Sequence, residues 1–308
     1  MIVLGLSARN AGGSAEILLK QALKSAKQAG ATAKLVRADD LTLTLGPDAA
    51  ADGDRFWNEL IEADELMEAD ALIVSTPIYP RTIPGKLRLL GDKTSGPQAD
   101  VAFTSDLLRM RPAGVDIPMQ STIAERGLRP RVGATVAVGG SLGSYWKTFA
   151  LPLMHTLTAS VQVGIVDQVQ FAAAGSPASI VLDDSALTRV AQLGRTVAEQ
   201  AGRDYDDIEY RGAAGACPMC HLDVIAIVPG GVECVSYGAA GRRTRRKIEV
   251  RTARTSDSPS DHEHLGTGGC CRDLERRSRF LHDRGAACDA HDQHRHVDRQ
   301  RRAPAALA

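Results

Sequence analysis

The N-terminal stretch that decides the fold is Met1–Leu6 (MIVLGL), followed by Ser7–Ser14 (SARNAGGS) and Ala15–Ala29 (AEILLKQALKSAKQA). The first segment is an apolar run typical of a buried strand, and the third has apolar residues at helical spacing. Between them lies a loop of small polar residues. Because a helix N-terminus offers unpaired N–H groups and partial positive charge, this order of strand, loop and helix predicts a phosphate-binding site.

The alternation of strands and helices continues to about residue 205. Further strands are predicted at Ala33–Val36, Ala71–Ser75, Val132–Val138 and Val161–Val166. Further helices are predicted at 54–67, 84–91, 145–158 and 185–201. Residues 95–131 are rich in proline and glycine and read as an insertion. Five short strands separated by helices predict an α/β fold with a doubly wound parallel sheet, covered by helices on both faces.

Three loops follow the first, third and fourth strands, and ligands of such sheets bind beyond the carboxyl ends of the strands. We expect the first loop to hold a phosphate, the second to lie along a flat ring, and the glycines of the third to approach that ring from its other side. The candidate binding residues are Ser7, Arg9, Asn10, Gly12, Gly13, Ser14, Pro77, Ile78, Tyr79, Gly139, Gly140 and Ser141.

Each loop also has a plain structural explanation. The first could be an ordinary connection with a serine cap, and the second a proline turn with Tyr79 packed on the core. A tight turn explains Gly139 and Gly140 equally well. His155 is interpreted as a packed histidine rather than a catalytic base.

The motifs S-x-R-x-x-G-x-S at residues 7–14, T-P-I-Y at 76–79 and V-x-V-G-G at 136–140 occur in this order. Together they resemble the NADPH-dependent FMN reductase family of the flavodoxin-like superfamily, over roughly residues 1–205. The resemblance implies a flavodoxin-like fold, non-covalently bound FMN and hydride transfer from NAD(P)H through the flavin to a second acceptor. It also implies a homodimer or homotetramer.

The chain departs from the family pattern at two points. Gly13 stands where many members carry asparagine or a hydroxyl residue, which removes one side-chain contact to the phosphate. The cysteine cluster of iron–sulfur members, after the second strand, is absent, so an iron–sulfur relay is not expected.

The predicted function is an FMN-dependent NAD(P)H oxidoreductase whose small-molecule acceptor is a quinone or free flavin. No catalytic acid or base is assigned, because the flavin performs the redox step. The alternatives are a flavodoxin-like electron carrier or flavin-binding sensor with little turnover, and a protein that binds a different phosphorylated ligand.

A second candidate site lies in the sequence Cys217-Pro218-Met219-Cys220-His221, followed by Cys234. Two C-x-x-C turns would make a zinc ribbon, but Tyr237 stands where the fourth cysteine belongs. We interpret the segment as a degraded zinc ribbon that binds zinc through Cys217, Cys220 and Cys234. His221, or a later cysteine such as Cys270 or Cys271, could supply the missing ligand. The first turn also fits a c-type haem attachment pattern, which would require export, and a redox-active C-x-x-C pair.

The sequence suggests three regions: a flavodoxin-like FMN-binding domain at 1–210, a zinc-ribbon-like segment at 211–240 and a tail at 241–308. The tail has 16 Lys and Arg against 10 Asp and Glu, whereas the preceding residues have 21 against 27. It holds only seven Leu, Ile or Val, which predicts disorder. Its arginine and histidine bias suggests a shifted reading frame beyond about residue 237, a hypothesis that the nucleotide sequence tests.

Composition also bears on partners and location. The tail has interspersed acids and almost no lysine or aromatic residues, which argues against nucleic acid as a partner. No apolar run approaches the roughly 20 residues of a membrane helix, and no signal peptide is evident. All six cysteines lie at or beyond Cys217. This distribution favours a reducing compartment, so we expect a cytoplasmic protein without a membrane partner.

Overall fold

The computed structural model describes residues 1–8, 11–41, 43, 69–94, 105, 129–159, 161–172, 174–176, 178–243 and 248–250. Five strands form the first sheet: β1 Ile2–Ser7, β2 Thr32–Arg37, β3 Ala71–Pro77, β4 Arg131–Val138 and β5 Val163–Phe171. Five α-helices accompany them in the described residues: α1 Ser14–Gln28, α2 Gly85–Thr94, α3 Ser144–Lys147, α4 Ala150–Ala159 and α5 Asp184–Gln200.

The strand order is β2-β1-β3-β4-β5, and each neighbouring pair is parallel. This is the doubly wound order of flavodoxin-like proteins, in which the chain reverses direction across the sheet next to β1. The predicted fold class is therefore confirmed. Because the connection changes sides beside β1, the loops after β1 and β3 open a crevice at the carboxyl edge of the sheet.

The sheet has an apolar core on each face. On one face, Leu87 of α2 and Met154 of α4 belong to the same buried cluster as Val74 of β3. On the other, Leu18 of α1 and Leu193 of α5 share a cluster with the central strands. The strands β3 and β4 are buried almost throughout, as expected for parallel strands covered on both faces.

The structure differs from the sequence prediction in three places. The single helix expected at 145–158 is divided into α3 and α4, since Pro152 has no N–H to donate to the preceding turn and is accommodated only near a helix start. The last strand begins at Val163 and continues to Phe171, and its register with β4 shifts after Gly133. The third strand continues through Pro77, which pairs with Val138. The predicted helix at 54–67 and nearly all of the 95–131 insertion lie outside the described residues.

A second, antiparallel sheet follows the flavodoxin-like fold. Its strands are β6 Ile225–Val228, β7 Gly231–Cys234, β8 Ala240–Arg243 and β9 Ile248–Val250, in the order β6-β7-β8-β9. Regular structure thus continues past the predicted boundary at residue 240, because β8 pairs with β7 and β9 with β8. The tail beyond residue 250 lies outside the described residues, so its disorder and the frame-shift hypothesis stay predictions. In the described part of the chain, no helix combines the length and hydropathy that crossing a bilayer requires.

Candidate functional site

The ends of β1, β3 and β4 lie side by side at the carboxyl edge of the sheet. Ser7 is level with Ser75, and Pro77 is level with Val138. The Ile78 N–H donates to the Val138 carbonyl at 2.8 Å. The structure therefore brings together the three loops that the sequence singled out.

In the first loop, the start of α1 carries unused hydrogen-bonding capacity. The N-cap residue is Gly13, and none of the side chains that the structure describes caps the helix. Ser14, the first helical residue, is buried and its Oγ has no hydrogen-bond partner among the described residues. The serine cap considered from the sequence is thus absent. A buried hydroxyl without a partner costs about 1–3 kcal/mol, and an anion at the helix N-terminus would satisfy both this hydroxyl and the first N–H groups.

The start of α1 is fixed to the sheet by buried polar contacts. The Ser75 hydroxyl donates to the Ala15 carbonyl at 2.7 Å. The Glu16 side chain is fully buried and accepts hydrogen bonds from Arg37 Nε at 3.1 Å and Nη2 at 3.0 Å, with Lys20 also paired to it. The Arg37 hydrogen bond keeps the pKa of Glu16 below its usual value, against the opposing effect of burial. The helix N-terminus is consequently held in one position.

Two predicted residues of the first loop, Arg9 and Asn10, lie outside the described residues. Of the others, Ser7 is fully buried. Gly12 has φ of 82°, a left-handed conformation that L-residues other than glycine adopt only with strain.

The second loop forms a tight hairpin after β3. The Tyr79 N–H donates to the Thr82 carbonyl at 2.8 Å, and the Thr82 N–H donates back to Tyr79 at 3.0 Å. Ile78 is buried in the core, whereas Tyr79 is 44% exposed. A packed tyrosine is therefore not observed, and Tyr79 is accessible beside the crevice.

The third loop is packed against the connection that follows β5. The Gly139 N–H donates to the Phe171 carbonyl at 3.0 Å, and the Gly139 carbonyl accepts from Ala174 at 3.2 Å. A Cβ on Gly140 would lie 2.9 Å from the Gly175 Cα, closer than real contacts allow. The Ser141 hydroxyl accepts from the Gly143 N–H at 3.2 Å. Close backbone packing thus accounts for Gly140 without reference to a ligand, whereas a Cβ on Gly139 would meet only side-chain atoms, the nearest being Ile78 Cδ1 at 3.3 Å.

Sequence reasoning missed Arg81, which connects the second and third loops. Arg81 Nε donates to the Tyr145 carbonyl at 3.3 Å, and its guanidinium carbon lies 5.6 Å from the ring centroids of both Tyr145 and Phe149. Both rings are exposed, as is Leu142. The side chains of Arg81, Tyr145 and Phe149 form an aromatic patch beside the crevice. The only signal in the sequence was the proximity of Arg81 to the T-P-I-Y motif.

The three predicted metal ligands do come together. Cys217, Cys220 and Cys234 are buried, and their sulfur atoms all lie within 4.8 Å of one another. Hydrogen bonds from the Cys217 and Cys220 thiols lower the pKa of Cys234 to about 2. His221 is outside this group, since its ring stacks on Tyr210 at 3.6 Å between centroids. The alternative ligands Cys270 and Cys271 lie outside the described residues.

His155 is buried, as predicted, and links the cysteine segment to the sheet. Its Nε2 lies 2.7 Å from Gln168 Oε1, and its Nδ1 lies 3.5 Å from the Tyr237 hydroxyl. Burial lowers the pKa of His155. A neutral histidine with these two partners is a structural contact between the cysteine segment and β5.

Comparison with known proteins adds three findings. Residues 1–177 match the model of a family described as NADPH-dependent FMN reductase. A protein of Aspergillus candidus described as "Flavone synthase cfoJ" is 34% identical over 258 residues, which cover 79% of this chain and 78% of that protein. A solved structure described as "flavone reductase" matches over 100% of both chains with 21% identity and a TM-score of 0.73. At that identity, the structural match supports the fold alone.

Proposed function

Because the chain belongs to the NADPH-dependent FMN reductase family, we propose that it binds FMN at the strand-end loops and passes hydride from NAD(P)H to a planar aromatic acceptor. The observation that carries the proposal is the start of α1, where no described side chain caps the helix and the buried Ser14 hydroxyl has no partner among the described residues. The donors at this helix start need acceptor oxygens, and an anion with several such oxygens would supply them. The phosphate of FMN is an anion of this kind.

The residues of the first two loops fit the rest of the cofactor. Ser14 and the first N–H groups of α1 would hold the phosphate, with Ser7 beside them. Pro77 and the exposed Tyr79 would line the ring, where the proline stiffens the loop. FMN supplies the exchange of hydride; the chain orients the ring and shields it from water.

The acceptor is inferred from the aromatic patch. Exposed Tyr145 and Phe149, with Arg81 over both rings, offer a flat apolar surface with one positive charge. A planar ring system with a carbonyl oxygen would stack on the rings and accept a hydrogen bond from the guanidinium. Quinones, free flavin and flavones all have this chemistry. Flavones are favoured among them, because the name of the A. candidus relative, which is 34% identical to this chain, refers to a flavone.

The test begins with FMN titration of the purified protein and of two serine variants. Ser14→Ala should weaken FMN binding about 5- to 10-fold, since a lost hydrogen bond is worth about 1–1.5 kcal/mol. Ser185→Ala is the matched control, because Ser185 lies in the first turn of α5, which Asp183 caps. Failure of the wild-type protein to bind FMN would refute the proposal.

Steady-state oxidation of NADH and NADPH by the FMN-loaded protein then distinguishes an enzyme from an electron carrier with little turnover. Turnover with a flavone above that with a quinone or free flavin supports the proposed acceptor class. Bound flavin without turnover on any of the three would instead identify an electron carrier or sensor. The homodimeric or homotetrameric state and the cytoplasmic location stay predictions, and sedimentation of the loaded protein tests the former.

A further inference from the structure

The first cysteine turn, residues 217–222, is closed by two backbone hydrogen bonds. The His221 N–H donates to the Cys217 carbonyl at 2.9 Å, and the Cys217 N–H donates to the Leu222 carbonyl at 3.1 Å. His221 has φ of 56°, in the left-handed region. The turn therefore holds its two cysteines in one fixed backbone arrangement.

The second cysteine turn, residues 234–239, repeats this arrangement position by position. The Gly238 N–H donates to the Cys234 carbonyl at 2.8 Å, and the Cys234 N–H donates to the Ala239 carbonyl at 2.9 Å. Gly238 has φ of 65°, again left-handed. In this structural repeat, Tyr237 occupies the position of Cys220.

The two turns bring three sulfurs to a separation that suits a single ion. Cys220 and Cys234 Sγ are 3.4 Å apart, and no pair among the three exceeds 4.8 Å. Zinc–sulfur bonds of about 2.3 Å in a tetrahedron place sulfurs about 3.8 Å apart. We propose that Cys217, Cys220 and Cys234 bind one Zn²⁺ ion, and that Tyr237 replaces the fourth cysteine without being a ligand.

The contacts of the Tyr237 hydroxyl explain why it is not a ligand. Gln168 Nε2 donates to the carbonyls of Cys220 and His221, each at 2.9 Å, so its Oε1 faces His155. His155 Nε2 is consequently the protonated nitrogen, and Nδ1 accepts from the Tyr237 hydroxyl. The phenol is directed at the histidine. The fourth zinc ligand therefore comes from outside the two turns, and water is the simplest candidate.

Binding releases the protons of those thiols that are not already ionised and leaves three zinc–sulfur bonds, with no change in oxidation state. The ion would tie β7 to the first turn, and through Gln168 to β5 of the main sheet. The proposed role is structural: zinc holds the C-terminal sheet on the flavodoxin-like unit. This inference does not depend on FMN binding.

The experiment measures zinc per chain by mass spectrometry of the full-length protein, and zinc affinity by competition with a chromophoric chelator. The wild-type protein and the tail variant Cys270→Ser/Cys271→Ser/Cys288→Ser should each hold one zinc. Cys234→Ser should weaken binding at least about 100-fold. Tyr237→Cys should tighten it at least about 10-fold, because it completes four thiolates at the repeated position, whereas Tyr237→Phe should not tighten it.

The expected gain in zinc affinity of Tyr237→Cys cannot result from misfolding, because a misfolded variant would lose affinity. Three results would overturn the proposal: wild-type protein that takes up no zinc, a Cys220–Cys234 disulfide in the reduced and repurified protein, or loss of zinc in the tail variant. The last would show that a tail cysteine is an obligatory ligand.

Discussion

The strand-end loops and the two cysteine turns gather ligand groups in different ways. At the sheet edge, the groups come from β1, β3 and β4, which are separated along the chain and aligned only by parallel pairing. In the cysteine segment, two six-residue turns with the same hydrogen bonds supply three sulfurs. The first arrangement depends on the packing of the whole sheet, and the second on local turn geometry. Perturbations of packing and of turn geometry should therefore affect the two regions separately.

The largest effect is expected from Gly194→Ala, which breaks the packing of the flavodoxin-like unit. A Cβ at Gly194 would lie 2.0 Å from the Ala22 carbonyl oxygen, so α5 could not remain against α1. We expect a loss of about 3 kcal/mol or more in unfolding free energy and loss of FMN, measured by denaturant unfolding and flavin absorbance. Gly85→Ala is the control, because its Cβ position has open space around it in the described part of the chain. A fully stable Gly194→Ala would contradict the close contact.

Gly215→Ala should disturb the first cysteine turn and leave the flavodoxin-like unit intact. Its Cβ would lie 2.1 Å from the His221 carbonyl oxygen and 3.0 Å from the Leu222 nitrogen, inside the first cysteine turn. We expect the three buried thiols to react readily with a thiol reagent, while FMN binding is retained and the main unfolding transition changes by less than about 1 kcal/mol. If flavin is lost together with thiol protection, the two regions are not separable.

The sequence predicted the sheet well because its central strands are buried on both faces. Val132–Val138 and Ala71–Ser75 read as continuous apolar runs, and such runs have one stable arrangement in a parallel sheet. The first loop was also predictable, since a strand, small polar residues and a helix start are contiguous in sequence. Contacts made by neighbours along the chain leave a pattern that sequence reasoning can use.

Contacts between distant residues left no such pattern. The position of Arg81 over Tyr145 and Phe149 depends on how the second and third loops pack. The buried chain from Tyr237 through His155 to Gln168 likewise joins three distant elements. The cysteine spacing marked the ligands and predicted that Tyr237 occupies the place of a fourth cysteine, and the backbone hydrogen bonds show that the second turn has the same conformation as the first.

An intermediate effect is expected from Glu16→Gln, which weakens the attachment of α1 to β2. The Arg37 hydrogen bonds lower the pKa of Glu16, so the folded state favours the carboxylate. The stabilisation is present above the usual value of 4.5 and is lost as the pH falls through the lower folded value. We expect a cost of about 1.5–3 kcal/mol at pH 7 that disappears in acid. Urea unfolding at a series of pH values measures it, and a constant difference between the two proteins would contradict the assignment.

The smallest effect is expected at the aromatic patch, from Arg81→Met. Arg81 has φ of 71°, and methionine there bears a similar backbone strain, so the substitution removes the guanidinium while changing stability little. If a planar acceptor stacks on Tyr145 and Phe149 under this charge, the loss of about 0.5–1 kcal/mol should raise its KM about 2- to 5-fold. Binding of FMN should be unchanged, since the patch lies beside the crevice rather than at the start of α1. Arg195→Met, at an exposed arginine of α5, is the control. An equal KM in the two variants would mean that the patch does not contact the acceptor, and the acceptor would then have to be recognised by the second loop alone.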